Sequence, residues 1–340
     1  MRAGWTWLTI GLAAAPGSAD DDTCTTAFDG ACDELQACAL GTDSSDCDAA
    51  CAAGWSAADA GACAHDAAVA AAGVPPPPDT GSHGTGGWTG VWSGTINARG
   101  RTVSEQLVRH FKVYVPPSYD PRTATPLIYV LGGFTVDMYG LDAYTELLRT
   151  ADLNGFIVVF PQQHYYDFGP DIGWVFAWNV FRSDWVGRGW TDNPDVDFIR
   201  NLTAELKRSY NIDRTRIFAS GHSRGAAMSI ILAFVLTDTI AGFVSESGFA
   251  EANGFDAEMR AYTGDRLVPG ALVHGTSDPD VPLAESDGIR DLLVESGWVP
   301  DEDFVYFRLE NVAHEWQPQY NQQIWDFLTE HPLPLEAATP

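Results

Sequence analysis

Lysine is almost missing from this chain: Lys112 and Lys207 are the only two in 340 residues, and all basic residues together number 19 against 46 acidic ones. The resulting net charge of −27 argues against nucleic acid or anionic lipid as a partner, because so acidic a surface repels phosphate. The scarcity of lysine fits a salty habitat, although a well-solvated extracellular surface would look similar. Long apolar runs are missing too. No segment after residue 19 reaches the roughly 18 uninterrupted apolar positions of a membrane helix, so no membrane insertion is expected. Cysteine is absent beyond Cys63. The larger, C-terminal part must therefore be held together by burial alone, and a hydrophobic content of 45% supplies the material.

What is present divides the chain. MRAGWTWLTIGLAAAPGSA (1–19) has Arg2, a short apolar stretch and small residues suited to cleavage near Ala19, the pattern of a secretory signal peptide. No cysteine follows in a lipobox-like arrangement, which makes a lipid anchor the weaker reading. Cys24, Cys32, Cys38, Cys47, Cys51 and Cys63 all fall within 20–66. In an exported chain such a set reads as a disulfide-stapled module, since an Ala- and Asp-rich segment this short cannot bury enough apolar surface unaided. The spacing does not fix the pairing. AAVAAAGVPPPPDTGSHGTGG (67–87) reads as a Pro/Gly linker. One large domain is expected over 88–334, with a short tail at 335–340.

Strand and helix patterns alternate in that domain. HFKVYVPP (110–117), PLIYVLGG (126–133), FIVVFP (156–161), RIFAS (216–220), FVSESG (243–248), ALVHG (271–275) and DFVYFRLE (303–310) read as strands. Helical spacing marks 142–155, 195–210, the stretch after residue 225, 284–297 and 320–330. Nearly continuous apolar strands between helices imply an α/β architecture, a mostly parallel sheet covered on both faces.

GHSRG (221–225) sits between a strand and a helix, the setting in which glycines permit a sharp turn that lifts a serine hydroxyl above a sheet. Ser223 is therefore the candidate nucleophile. It needs a base to take its proton and an acid to orient that base, expected in the chain order serine, acid, histidine. Of the downstream histidines, His331 lies in a Pro-bounded tail and His274 ends a strand, whereas His314 occupies a strand-end loop before the last helix. His314 is the expected base. HGTSDPDVP offers Asp278 and Asp280, and Asp278, first on the loop and followed by proline, is preferred; Glu246 and Glu251 lack a comparable position. The oxyanion donors are expected to be the backbone N–H groups of Arg224 and of Phe134, which follows Gly132 and Gly133. His222, beside the serine on a sharp turn, is expected to point away and pack.

The segment 164–185 is rich in aromatics and opens with His164. It supports two readings: a substrate cleft built from Tyr165, Trp174, Phe176 and Trp178, or a long loop packed by its own rings. Trp178 and Trp316 are the preferred cleft candidates, with Tyr165 beside them.

Taken together, VYVPPSYD, PLIYVLGG, FIVVFPQQ, AWNVF, DVDFIRNLTAELKRSYNIDRTRIFASGHSRGAAM, HGTSDPDVP and AHEW resemble, in this order, the secreted α/β-hydrolases that include polyhydroxybutyrate depolymerase-like, feruloyl esterase-like and acetylxylan esterase-like enzymes. The likeness runs over about residues 105–330. It implies an α/β-hydrolase fold, a triad of Ser223, Asp278 and His314, and no metal or organic cofactor. Gly132-Gly133 stands where many members have His-Gly, and Arg224 where many have Asn or a small residue. DGACDELQACALGTDSSDC (29–47) resembles Asp- and Cys-rich repeats of bacterial surface proteins and, distantly, the Notch-type repeat, where acidic groups can hold calcium; a solvated acidic loop is the alternative, and Ser44 departs from the pattern.

The expected function is a secreted serine carboxylic-ester hydrolase working through an acyl-enzyme. Its ester substrate would be a polyester or the feruloyl and acetyl groups of a polysaccharide, with attachment to a surface or polymer through the cysteine module. The alternative is a non-catalytic cell-surface interaction protein that uses this module and keeps the hydrolase-like domain as a scaffold.

Overall fold

The computed structural model describes residues 79–337, apart from 85, 103, 104, 188 and 265. The expected signal segment, the expected cysteine module with its calcium-binding reading, most of the expected linker and the last three residues of the tail lie outside the described residues. Eight strands form the main sheet: β1 (Gly90–Arg99), β2 (Gln106–Val115), β3 (Thr125–Leu131), β4 (Ile157–Pro161), β7 (Ile212–His222), β8 (Gly242–Glu246), β9 (Gly270–Gly275) and β10 (Phe304–Leu309). Their order across it is β1-β2-β4-β3-β7-β8-β9-β10. β1, β2 and β4 pair antiparallel, and every pairing from β4 through β3 to β10 is parallel.

The parallel strands are apolar on both faces because both faces are covered. In β3, Leu127, Tyr129 and Leu131 join one core while Ile128 and Val130 join the other. In β4, Ile157 and Val159 part from Val158 and Phe160 in the same way. The first layer contains α3 (Pro194–Ser209), α4 (Arg224–Val235) and α6 (Ala284–Glu295); the second contains α1 (Leu141–Thr145), α2 (Leu147–Asn154) and α7 (Asn321–Thr329). Helix α3 starts as its sequence suggests. Asn193 accepts a hydrogen bond from Asp195 N, Pro194 opens the first turn, and Lys207 and Arg208 stand in the last.

Four features differ from expectation. The helix expected over 142–155 is two short helices, α1 and α2, parted at Glu146, whose φ of 52° interrupts the backbone ladder. The sheet has an edge strand, β1, that the sequence pattern does not predict. A short helix, α5 (Asp256–Arg260), lies between β8 and β9. The aromatic segment contains a two-stranded hairpin, β5 (His164–Asp167) and β6 (Trp174–Ala177), apart from the main sheet. In addition, the end of the expected linker is bonded to the domain. Ser82 N donates to the Ile212 carbonyl, and Ser82 Oγ accepts from Ile212 N and lies 2.9 Å from the Tyr210 carbonyl. Among the described residues no helix is long and apolar enough to cross a membrane.

The functional end of the sheet is set by how closely α4 approaches β3. A Cβ added to Gly225 would lie 2.0 Å from the Leu131 carbonyl oxygen, and one on Gly221 would lie 2.3 Å from the Gly225 carbonyl. Neither contact can be relieved by moving a flexible side chain, since both are with backbone. Gly225→Ala is therefore expected to cost about 2–4 kcal/mol of stability. Urea unfolding measures this, and an unshifted midpoint would mean the helix does not pack this tightly.

Candidate active site

Three parallel strands deliver the three expected triad residues at the same edge of the sheet. β7 runs into Ser223, which is the turn before α4; Asp278 lies in the loop after β9; His314 lies in the loop after β10. Ser223 has φ 57° and ψ −122°, a conformation that costs a non-glycine residue about 1–3 kcal/mol. The strain is held from both sides. Ser223 N donates to the Glu246 carbonyl on β8 at 2.8 Å, and Ala227 N donates to the Ser223 carbonyl at 3.1 Å.

His314 Nδ1 and Asp278 Oδ2 are 2.7 Å apart, with the Asp278 side chain fully buried. The carboxylate is anchored by more than the histidine. Asp278 Oδ1 accepts from the backbone N–H groups of Asp280 and Val281, each at 2.9 Å. Burial pushes the Asp278 carboxyl up, but hydrogen bonds from Val281 N, His314, Asp280 N and the Ser247 side chain outweigh it and hold the group below the usual carboxylate range. An acceptor fixed in this way keeps the proton of His314 on Nδ1 and leaves Nε2 as the basic nitrogen. The two loops are tied together. Ser277 N donates to the Val312 carbonyl and Asn311 N to Thr276 Oγ1, while Gly275 has no room for a Cβ, which would lie 2.1 Å from the Val312 oxygen.

The other histidines have different partners. His274 Nε2 lies 3.2 Å from Asp278 Oδ2 and 3.0 Å from the Val281 carbonyl. Both are acceptors, so Nε2 carries the hydrogen and Nδ1 accepts from Ser286 Oγ at 2.7 Å. His274 therefore shapes the acid loop. His331 bonds to the Phe327 carbonyl at the end of α7, outside these loops. His222 is buried, its ring 4.5 Å from that of His314 and 5.6 Å from that of Tyr144. Burial, then the repulsion of His314, push the His222 imidazole down to about 3, so a neutral ring flanks His314.

The loop after β3 closes the other side. A Cβ on Gly133 would lie 3.3 Å from Ser223 Cβ, which puts the backbone leading into Phe134 against the serine. Its carbonyls are drawn inward. Gln163 Nε2 lies within 3.0 Å of the Gly132, Gly133 and Val136 carbonyl oxygens, and Trp178 Nε1 donates to the Gly132 carbonyl at 3.0 Å. Arg224 reinforces the same clamp, its Nε donating to the Trp178 carbonyl at 2.8 Å and its guanidinium pairing with Asp184 at 2.6 Å. Peptide groups whose carbonyls are held on one side direct their N–H groups to the other.

These contacts correct the cleft expectation. Trp178 has no exposed surface, because its indole N–H is spent on Gly132, and Trp316 is buried with Nε1 on Asn321 Oδ1. Burial leaves neither ring as an open cleft wall. Tyr165 is half exposed on the hairpin. The half-buried rings beside Arg224, the residue after Ser223, are instead Phe134, Phe168 and Phe181, each 5.1–5.6 Å from its guanidinium. Gln163 is a further site residue that the sequence reading misses, although the pair Gln162-Gln163 directly after the apolar β4 is a visible signal.

Glu246 is the unexpected member of the site. It is fully buried at the end of β8, with Oε2 accepting from Gln317 N at 2.7 Å and Oε1 unpartnered. Burial, opposed only weakly by the Gln317 bond, pushes this carboxyl up to about 8. The folded protein thus keeps a proton that the unfolded chain releases near the ordinary carboxylate value. Stability linked to this group is complete below that value and is lost as pH rises toward 8. Glu246→Gln removes the titration. The difference in unfolding free energy, variant minus wild type, should be flat below about pH 4 and grow in favour of the variant between about pH 5 and 8. Urea titrations across that range measure it, and a difference independent of pH would contradict the protonated carboxyl.

Asp278, Asp280 and His314 have donor atoms within 4.8 Å of one another, but Asp278 Oδ2 and His314 Nδ1 are already spent on each other. The profile of the phospholipase/carboxylesterase family matches residues 193–332, a span that contains Ser223, Asp278 and His314. Over 249 residues the chain is 28% identical to the bifunctional acetylxylan esterase/xylanase of Neocallimastix patriciarum, an alignment covering 65% of this chain and 33% of that one. The chain thus spans about a third of the length of this curated relative. Among solved structures, the acetyl xylan esterase from Aspergillus awamori superposes with a TM-score of 0.55 at 14% identity, covering 70% of this chain and 99% of that one. An S-formylglutathione hydrolase from Agrobacterium tumefaciens gives 0.51 at 15% identity, covering 72% and 96%. The chain has the α/β-hydrolase fold.

Proposed function

We propose that this protein is a secreted serine carboxylic-ester hydrolase that removes acetyl or feruloyl groups from a polysaccharide. The observation that carries the reading is the 2.7 Å contact of His314 with Asp278, on loops at the same end of the parallel strands as a serine held at φ 57° against Gly133. The relative from Neocallimastix, an acetylxylan esterase by name, favours a polysaccharide ester over a polyester. Export rests on the pattern of residues 1–19 and on the acidic composition.

In this reading Ser223 Oγ attacks the ester carbonyl while His314 Nε2 takes its proton, and Asp278 stabilises the imidazolium that forms. Negative charge on the carbonyl oxygen meets the backbone N–H groups of Phe134 and Arg224. Collapse of the tetrahedral intermediate breaks the C–O bond, and His314 returns the proton to the departing sugar hydroxyl. Water, deprotonated by His314, then attacks the acyl-enzyme and releases the carboxylic acid and Ser223. The clamp made by Gln163, Trp178 and Arg224 fixes the N–H of Phe134 before substrate arrives, so no reorganisation is needed when charge develops.

Three variants test this with p-nitrophenyl acetate. Ser223→Ala should abolish turnover, and Asp278→Asn should lower kcat by about 10⁴-fold with its fold intact. Gln163→Leu should lower kcat by ~10-fold to 10²-fold while changing KM little, because it loosens an oxyanion donor without removing it. Turnover by Ser223→Ala at the wild-type rate would refute the reading.

A further inference from the structure

A groove of about 500 Å³ has none of Ser223, Asp278 and His314 in its lining, and the ester chemistry does not use it. Its walls come from β2, the segment after β4 and the hairpin, with Gln163 shared between groove and oxyanion loop. Eleven buried polar side-chain atoms lack a partner among the described residues, and four of them belong to this lining: Arg109 Nε, Gln162 Nε2, Gln163 Oε1 and His164 Nδ1. Arg109, Gln162 and Gln163 are all more than nine-tenths buried. Buried polar groups are ordinarily satisfied, so four orphans among the residues of one groove point to an absent partner.

Their chemistry says what the partner is. Gln162 Oε1 accepts from Met138 N, so its free atom is a donor; Gln163 Nε2 is spent on three carbonyls, so its free atom is an acceptor. Arg109 Nε is a donor, and the charge of that guanidinium is already matched by Asp195 at 2.7 Å. A ligand that both donates and accepts, and carries no charge, fits this set. Hydroxyl groups do both. A polyester strand offers acceptors alone and would leave Gln163 Oε1 unpaired. The lining supplies the remaining element: Tyr139 and Tyr165 are 64% and 48% exposed, and Trp174, 58% exposed, packs against Tyr165 with ring centroids 5.5 Å apart. Exposed rings at the mouth of the groove present flat apolar faces to the C–H face of a sugar. The hairpin joins these rings to the nucleophile, since Phe168, just past β5, meets Phe134 of the oxyanion loop at 5.2 Å.

We propose that this groove binds a neutral oligosaccharide, with Tyr165 and Trp174 stacking on sugar rings and Gln162, Gln163 and His164 meeting hydroxyls. The binding itself is independent of the ester chemistry; its role as the seat of the ester-bearing chain rests on the hydrolase reading. Titrating the full wild-type chain with unesterified xylohexaose, followed by tryptophan fluorescence and calorimetry, should show saturable binding. Tyr165→Ala and Trp174→Ala should each weaken it tenfold or more, and Trp88→Ala, at an exposed tryptophan outside the groove, should not change it. Absence of binding to xylohexaose, cellohexaose and mannohexaose would overturn the proposal, as would binding that survives both aromatic substitutions. Turnover of p-nitrophenyl acetate by the same preparation separates the two claims. Turnover without saccharide binding removes the groove alone, and saccharide binding without turnover removes the hydrolase reading alone.

Discussion

The close approach of α4 to the end of β3 is the contact on which the site depends. Gly225 presses its Cα against the Leu131 carbonyl with no space for a methyl group. That contact starts the helix within two residues of β7 and leaves Ser223 no conformation but a strained one. It also sets the next loop, because the chain leaving Leu131 must pass Ser223 through Gly132 and Gly133. The proposed nucleophile and oxyanion loop are thus placed by one packing event between two backbones.

Around this contact the protein uses buried hydrogen bonds to fix backbone direction. Arg224 holds the Trp178 carbonyl, Trp178 holds the Gly132 carbonyl, and Gln163 gathers three oxygens from the same loop. Arg224 stands where many of the enzymes this chain resembles carry a small residue or Asn. Its side chain braces the loop from behind, with three phenylalanine rings about it, and its burial accounts for how so large a residue is accommodated beside the serine. Across the sheet, Asp278 is held by two backbone N–H groups, His314 and His274, so the acid too is placed before any substrate binds.

Much of this is legible in the sequence, for physical reasons. Strands buried on two faces leave runs such as PLIYVL and FIVVF, and a Gly-flanked serine between a strand and a helix marks a turn too sharp for larger neighbours. Position in a loop after a strand separates His314 from His331 in its Pro-bounded tail and from His274 at the end of a strand itself. β1 escapes because an edge strand exposes alternate residues, and GVWSGTINAR mixes Trp92 and Ile96 with Ser, Thr and Asn, which read as a loop. The break at Glu146 leaves no mark, since glutamate is a good helix former and only tertiary packing turns it to φ 52°. The tryptophans mislead for a related reason. An indole can serve as a cleft wall or as a buried donor, and the partner that decides, the Gly132 carbonyl for Trp178, is 46 residues away in sequence. Glu246 looks remote because sequence distance from GHSRG hides that β8 pairs directly with β7.

The most direct measurement of the central claim is covalent labelling of the intact protein with a fluorophosphonate, followed by peptide mapping. A triad built on Ser223 predicts one adduct per chain, at that serine, abolished when His314 is changed to alanine. An adduct at another residue, or ester turnover by a chain that takes up no label, would contradict it.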